Sequence, residues 1–346
     1  MIKIIINLFY LENYYYIFNK TIFIFFLFFI FLCFFSIQIS HALNHESNFT
    51  KPCNCVIFRM NDIQDYWLEQ GQIAVMDLFL SKNQSLTLGI QSDSIGNDSK
   101  ILNKVKEGFN RSLFELAING WNNTDYNKTS EQRQSKTLFD SNIKLLSLFS
   151  NKSKIFIPPN NAFNNDTLKA MQQNGYNIIS SAIYSENAFD GGKSIFNASN
   201  ISTNQSNGAS SNHSSIFHLP ETSSFKNYDK GKWIKNPINS IIGNVTDNIN
   251  KYGYAVIVLH PQDFVKSDNN NTFTNQVDEN QIKDLSTLID YFASKHIPVA
   301  SFSKAIGLQS DPCISGKHVD IITGEGKAAE SETKRITSKD NVVCYI

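Results

Sequence analysis

Short apolar or β-branched runs recur along most of this chain, alternating with stretches of helical pattern, and that alternation restricts the fold to parallel βα units. The runs fall at 55–60, 85–90, 114–118, 154–157, 177–181, 254–259 and 298–301. Between the last two, Ile282, Leu285, Leu288, Ile289 and Phe292 share one face at helical spacing, which predicts a helix packed outside the sheet. Of the 346 residues, a body of roughly 260 remains after the N-terminal segment, enough for a single barrel. No internal repeat is present.

The N-terminal segment has its own logic. Residues 22–39 read IFIFFLFFIFLCFFSIQI, with no charge and only Ser36 and Gln38 polar, approaching the roughly 20 residues that span a bilayer. Lys3 and Lys20 precede the run, and Ser40-His41-Ala42 follows it in the small-x-small pattern of a signal-peptidase site. Residues 1–42 therefore read as a signal peptide or an N-terminal membrane anchor, with the rest extracellular or at the cell surface. Fourteen N-x-Ser/Thr sequons after residue 42 agree with export and glycosylation, although a chain so rich in Asn and Ser generates some by chance. With 31 basic against 31 acidic residues, there is no electrostatic footprint for nucleic acid, and the membrane is expected only through the N-terminal segment.

Beyond Cys33, four cysteines remain: Cys53, Cys55, Cys313 and Cys344. An even count in an oxidising compartment favours disulfides, and Cys-x-Cys is tighter than zinc-site spacing. Cys53 and Cys55 lie too close to bond comfortably, so each is expected to pair with a C-terminal cysteine and tie the tail, 311–346, to the start of the domain. Residues 197–224 are Ser- and Asn-rich and read as an exposed insertion loop within a barrel spanning 53–310. The stretch 324–340 is charged and solvated.

In a parallel barrel, chemistry sits where strands end. The first strand end reads Phe58-Arg59-Met60-Asn61-Asp62, the second Glu115-Leu116-Ala117-Ile118-Asn119-Gly120-Trp121-Asn122-Asn123. A third reads Phe156-Ile157-Pro158-Pro159-Asn160, and a fourth ends in Leu259-His260-Pro261-Gln262-Asp263. In this order the four resemble the motifs of the polysaccharide deacetylases (NodB-homology carbohydrate esterases), and the resemblance covers most of 55–306. It implies an α/β fold, a distorted (β/α) barrel of the polysaccharide-deacetylase type, and a hydrolase that removes acetyl groups from sugars with a divalent metal, a carboxylate base and an imidazole acid.

The resemblance also assigns roles. Asn61 falls at the base position and Asp62 at a metal-ligand position, while Asn119 and Asn123 fall where the family has its two ligating histidines. Ile157 stands where an arginine orients the base, and His260 holds the acid position. Trp67 and Trp121, with Pro159 and Asn160, are the substrate-binding candidates, Tyr66 beside Trp67 adding a ring that stacks on sugar. An amide oxygen is a weak, neutral donor and a carboxamide is no base, so zinc is expected to be absent or replaced by a weakly held divalent cation. Asp65 is the one nearby carboxylate that could stand in as base. The expected partner is an acetylated glycan or cell-envelope polysaccharide. Three readings stay open: a degenerate glycan-binding protein, an active deacetylase, and a structural surface glycoprotein.

Overall fold

The computed structural model describes residues 53–182, 194–196, 216–229, 232–268, 270–307, 335–337 and 343–345. The apolar run 22–39, its cleavage site, Cys313 and the insertion from 197 to 215 lie outside these residues. Among the described residues no helix is long and apolar enough to cross a membrane.

The strands are β1 (Cys55–Ile63), β2 (Leu86–Ile90), β3 (Phe114–Ile118), β4 (Ile155–Phe156), β5 (Ile178–Ile179), β6 (Ser194–Phe196), β7 (Ile216–His218), β8 (Ser223–Ser224), β9 (Lys226–Asp229), β10 (Lys232–Lys235), β11 (Tyr254–Leu259), β12 (Val265–Ser267), β13 (Phe273–Val277), β14 (Val299–Ala300), β15 (Arg335–Thr337) and β16 (Val343–Tyr345). The helices are α1 (Glu69–Ser81), α2 (Ser99–Asn110), α3 (Glu131–Phe149), α4 (Asn165–Gln173), α5 (Ile238–Tyr252), α6 (Glu279–Ser294) and the single turn α7 (Phe302–Ala305). Every strand the alternation predicts is present, and the helix holding Leu285, Leu288, Ile289 and Phe292 is α6.

Eight parallel strands lie in the order β7-β5-β4-β3-β2-β1-β11-β8. Its two ends, β7 and β8, belong to one continuous stretch, 216–224. The amides of Leu219 and Glu221 bond to Ile179 and Ser181 at the β5 side, and those of Thr222 and Phe225 bond to Val256 and Val258 on β11. One strand that changes partner midway therefore closes the ring, which makes the barrel distorted. β14 pairs with the first half of β1, at Val56 and Ile57, and β2 pairs with its second half.

Alternation along β1 separates two cores. Val56, Phe58 and Met60 face outward beneath the helices, where the Phe58 ring meets Phe79 of α1 at 5.2 Å and Phe292 of α6 at 6.2 Å. Cys55 and Ile57 face inward with Ala117, Ile155, Ile157, Ile178, Leu219 and Val256. Glu115, also inward, accepts from the amides of Phe302 (2.8 Å) and Ser303 (3.1 Å), fastening α7 to β3. Burial pushes its carboxyl pKa up against those hydrogen bonds.

Two expectations are corrected here. The exposed insertion does not extend to residue 224: Ile216, His218 and Leu219 are buried, because this segment is the closing strand. Its Ser-rich flank hides a short apolar run that composition alone averages away. Secondly, Cys53 bonds to Cys55 and not to the C-terminal cysteines. Asn54 between them adopts a left-handed conformation (φ 45°) that folds the chain back, bringing the two Cα atoms to 5.1 Å, within bridging range. In the tail, β15 pairs antiparallel with β16, which places the backbone of Cys344 in a strand.

Candidate functional site at the barrel mouth

The C-terminal strand ends gather Asn61 and Asp62 (β1), Gln91 (β2), Asn119 (β3), Ile157 (β4), Ser180 (β5) and His260 (β11) at one rim, as parallel topology requires. The β1–β2 register shifts between Met60 and Ile63, an irregularity of the kind that re-aims side chains at functional rims. Asp62, inside it, sits in the left-handed region at φ 59°.

Asn119 is buried and both ends of its amide are engaged with backbone. Its Oδ1 accepts from the Asp62 amide at 2.9 Å and its Nδ2 donates to the Ile157 carbonyl at 3.1 Å. The residue thus staples the ends of β1, β3 and β4. Ile157 belongs to the inner apolar cluster and packs against Gly89, so hydrocarbon reaches the mouth on this side. Gly120 follows at φ +79°, and a Cβ there would lie 2.5 Å from the Pro159 ring, which fixes glycine between the two strand ends.

Asn123 is exposed on the next loop. With Gln64, Gln91, Asp93, Ser94, Asn122 and Thr124 it lines an open polar groove of about 510 Å³, of which Asp62 and Asn119 are not part. The three ligand positions are therefore not a ready zinc centre: one is a staple, one opens onto the groove, and only Asp62 offers a carboxylate. Among the described residues no three His, Cys, Asp or Glu side chains assemble as a metal site. The donor set does not fit zinc.

On the opposite side the polar groups are charged. Arg59 is fully buried and crosses the barrel from β1, donating to the Ser180 carbonyl (2.8 Å), the Ser180 hydroxyl (2.7 Å) and Glu221 Oε2 (2.9 Å). Burial lowers the guanidinium pKa, with Glu221 opposing. His260 places Nε2 3.5 Å from Asn61 Nδ2 and Nδ1 3.7 Å from Asp263 Oδ2. Asp263 is itself buried and accepts from the His260 amide at 2.8 Å. Burial works against the imidazolium, but the Asp263 carboxylate, helped by Asp62, outweighs it and holds the His260 pKa above the ordinary histidine value. Burial likewise pushes the Asp62 carboxyl up, against the pull of His260 and Arg59.

The structure brings Asn61, Asp62 and His260 together, and it separates the other candidates. Asp65 is engaged elsewhere, its Oδ2 accepting from the Asn97 amide at 2.6 Å. Trp67 is exposed and Tyr66 bonds through its hydroxyl to the Asn97 carbonyl, both on the β1–α1 loop. Trp121 is half-buried, its carbonyl accepting from the Asp93 amide, and Asn160 is exposed beyond a buried Pro159. Sequence reasoning passed over Arg59, Glu221 and Asp263. Arg59 had a signal: it is the lone charge inside the apolar run 55–60, and a fully buried arginine needs a partner. Also missed is the antiparallel pair β9–β10, whose Trp233 ring lies 5.8 Å from the His260 ring.

No family model matches the sequence, and no curated protein does. Solved structures do resemble the fold. A Mycobacterium smegmatis protein assigned as a polysaccharide deacetylase superposes with a TM-score of 0.52 at 13% identity, over 73% of this chain and 89% of that one. A CE4 family pseudoenzyme from Bacillus anthracis gives 0.46 at 11% identity, over 75% of this chain and 66% of that one. A family 4 acetyl xylan esterase from Clostridium thermocellum, in complex with a cobalt ion, gives 0.46 at 12% identity, over 75% and 94%. This chain has the distorted (β/α) barrel fold of the polysaccharide deacetylases.

Proposed function

We propose that this is a polysaccharide-deacetylase-like protein that acts outside the cytoplasm, binds an acetylated glycan or cell-envelope polysaccharide, and no longer hydrolyses it. The observation that carries the reading is Asn119, whose amide is committed at both ends to the backbone of Asp62 and Ile157. A group held that way is part of the scaffold and not an available ligand. Asn61, facing His260, offers a carboxamide where the reaction needs a carboxylate, and a carboxamide takes no proton from water near neutral pH. The apolar run 22–39 and the sequons support export. Asn122, a sequon asparagine, lies on the polar groove, where a glycan would narrow polymer entry.

One observation favours residual hydrolysis: His260 keeps a buried carboxylate partner, as a general acid would. A single experiment separates the two readings. The full-length protein is incubated with acetylated chitin and xylan oligosaccharides, and both bound sugar and released acetate are measured. Binding without acetate release is the expected result; release that disappears in Asp62→Ala and His260→Ala would overturn the non-hydrolytic reading.

A further inference from the structure

The end of the barrel opposite the mouth carries a second cleft. Asn54 precedes β1, Gly253 precedes β11 and Ile297 precedes β14, and because these strands are parallel all three lie where strands begin. Asn54 and Ile297, with Thr246, Ile249 and Asn250 of α5 and His296 of the α6–β14 turn, line a cleft of about 420 Å³. The Cys53–Cys55 disulfide brackets Asn54 and so stands at the cleft wall. As a staple this bond has little to hold. It spans a sequence separation of 2, and the smaller the closed loop, the less a disulfide restrains the unfolded chain. Strand pairing already fixes β1 to β11 and β14 from Cys55 and Val56 onward.

The two sulfurs differ. Cys55 is fully buried in the inner apolar cluster, whereas Cys53 is half-buried at its edge. An incoming thiolate therefore reaches Cys53 first. Cys53 Sγ also lies 3.4 Å from the Gly253 carbonyl, an acceptor for its proton once the bond is open, so the same backbone accommodates the dithiol form. Cleft walls of amide, hydroxyl and imidazole, with Ile249 and Ile297 between them, match the amide groups and short side chains of a peptide a few residues long. We propose that Cys53–Cys55 is a thiol–disulfide exchange site for a small peptide thiol seated in this cleft. The peptide thiolate attacks Cys53 Sγ, the S–S bond breaks, and Cys55 leaves with the electron pair and takes up the proton that the peptide thiol gave up. A second peptide thiolate attacks the peptide sulfur of the mixed disulfide, releasing a peptide disulfide and the Cys53 thiol, so that two electrons and two protons pass from the thiols to the protein. This site is independent of the glycan reading, which concerns the other end of the barrel.

The test exposes the full chain to glutathione, a small peptide thiol, and to mercaptoethanol, a thiol with no peptide groups. After timed exposure the free thiols are alkylated and peptide mapping assigns each cysteine, with circular dichroism recorded alongside. Millimolar glutathione is expected to open the bond while the fold persists, with the mixed disulfide on Cys53. Asn250→Ala, on the exposed cleft wall, should slow opening by glutathione about threefold and leave opening by mercaptoethanol unchanged. A bond that opens only once denaturant unfolds the protein, or a mixed disulfide carried by Cys55, would overturn the exchange site. Equal rates of opening by glutathione in Asn250→Ala and the natural protein would overturn the seating of the peptide in this cleft.

Discussion

The two sides of the barrel mouth have the same topology and opposite chemistry. On the β3–β4 side, Asn119 and Ile157 answer each other: an amide bonded at both ends and a hydrocarbon side chain leave little for a ligand. Around β5, β8 and β11, the side chains of Arg59, Glu221, His260 and Asp263 are charged or chargeable. Several of their buried atoms, Arg59 Nε and Asp263 Oδ1 among them, accept or donate no hydrogen bond within the protein. Where polar groups satisfy one another they become scaffold; where they are left partly unsatisfied they retain the capacity to meet a ligand. On the proposed function, the Asn119 amide belongs to the scaffold, and the groups left to meet a sugar lie on the His260 side.

The largest effect should come from the charged half. Glu221→Gln leaves Arg59 buried without its counter-charge and is expected to cost about 3–5 kcal/mol in denaturant unfolding, whereas Arg59→Met combined with Glu221→Leu should cost less than either single change. If Glu221→Gln is neutral, the cross-brace from β1 to the closing strand carries no weight. Next, Asn119→Ala strands the Asp62 amide and the Ile157 carbonyl and should cost about 2–4 kcal/mol. Asn123→Ala, on the exposed loop, should stay within about 0.5 kcal/mol. Equal costs would remove the distinction between staple and groove.

The smallest effect is pH-dependent. Asp263 and Asp62 face His260 with Arg59 opposing, and the net folded pKa is raised. The stability this provides is therefore fully present below about pH 6.5, the unfolded histidine value, and is lost as pH rises through the folded pKa. An NMR titration of the His260 ring should give a midpoint above that of a free histidine, moved down by Asp263→Asn. A midpoint that Asp263→Asn leaves in place would show that the pair does not interact.

Much of this was legible in the sequence. Strand positions followed from β-branched runs bounded by turn residues, and the order of Asn61-Asp62, Asn119, Pro158-Pro159 and His260 located the rim, because strand ends in a parallel barrel share one face. What was not legible depended on contacts between distant segments. Arg59 meets Ser180 and Glu221 across 121 and 162 residues of chain, and no local pattern announces such a partner. Residues 216–224 form a strand only because β5 and β11 offer free edges on either side, so a Ser-rich composition misread them. Cys53 and Cys55 bond because Asn54 takes a left-handed turn, a backbone choice that spacing does not reveal.

The proposal that Asn119 serves as scaffold and leaves Asp62 without partner ligands is tested most directly by zinc titration of the full-length protein, with metal content measured on the protein as purified and on Asp62→Ala. The account predicts no stoichiometric zinc on the natural protein and no difference from Asp62→Ala. Tight binding of one zinc per chain, lost in Asp62→Ala, would contradict it and return Asp62 and His260 to a catalytic role.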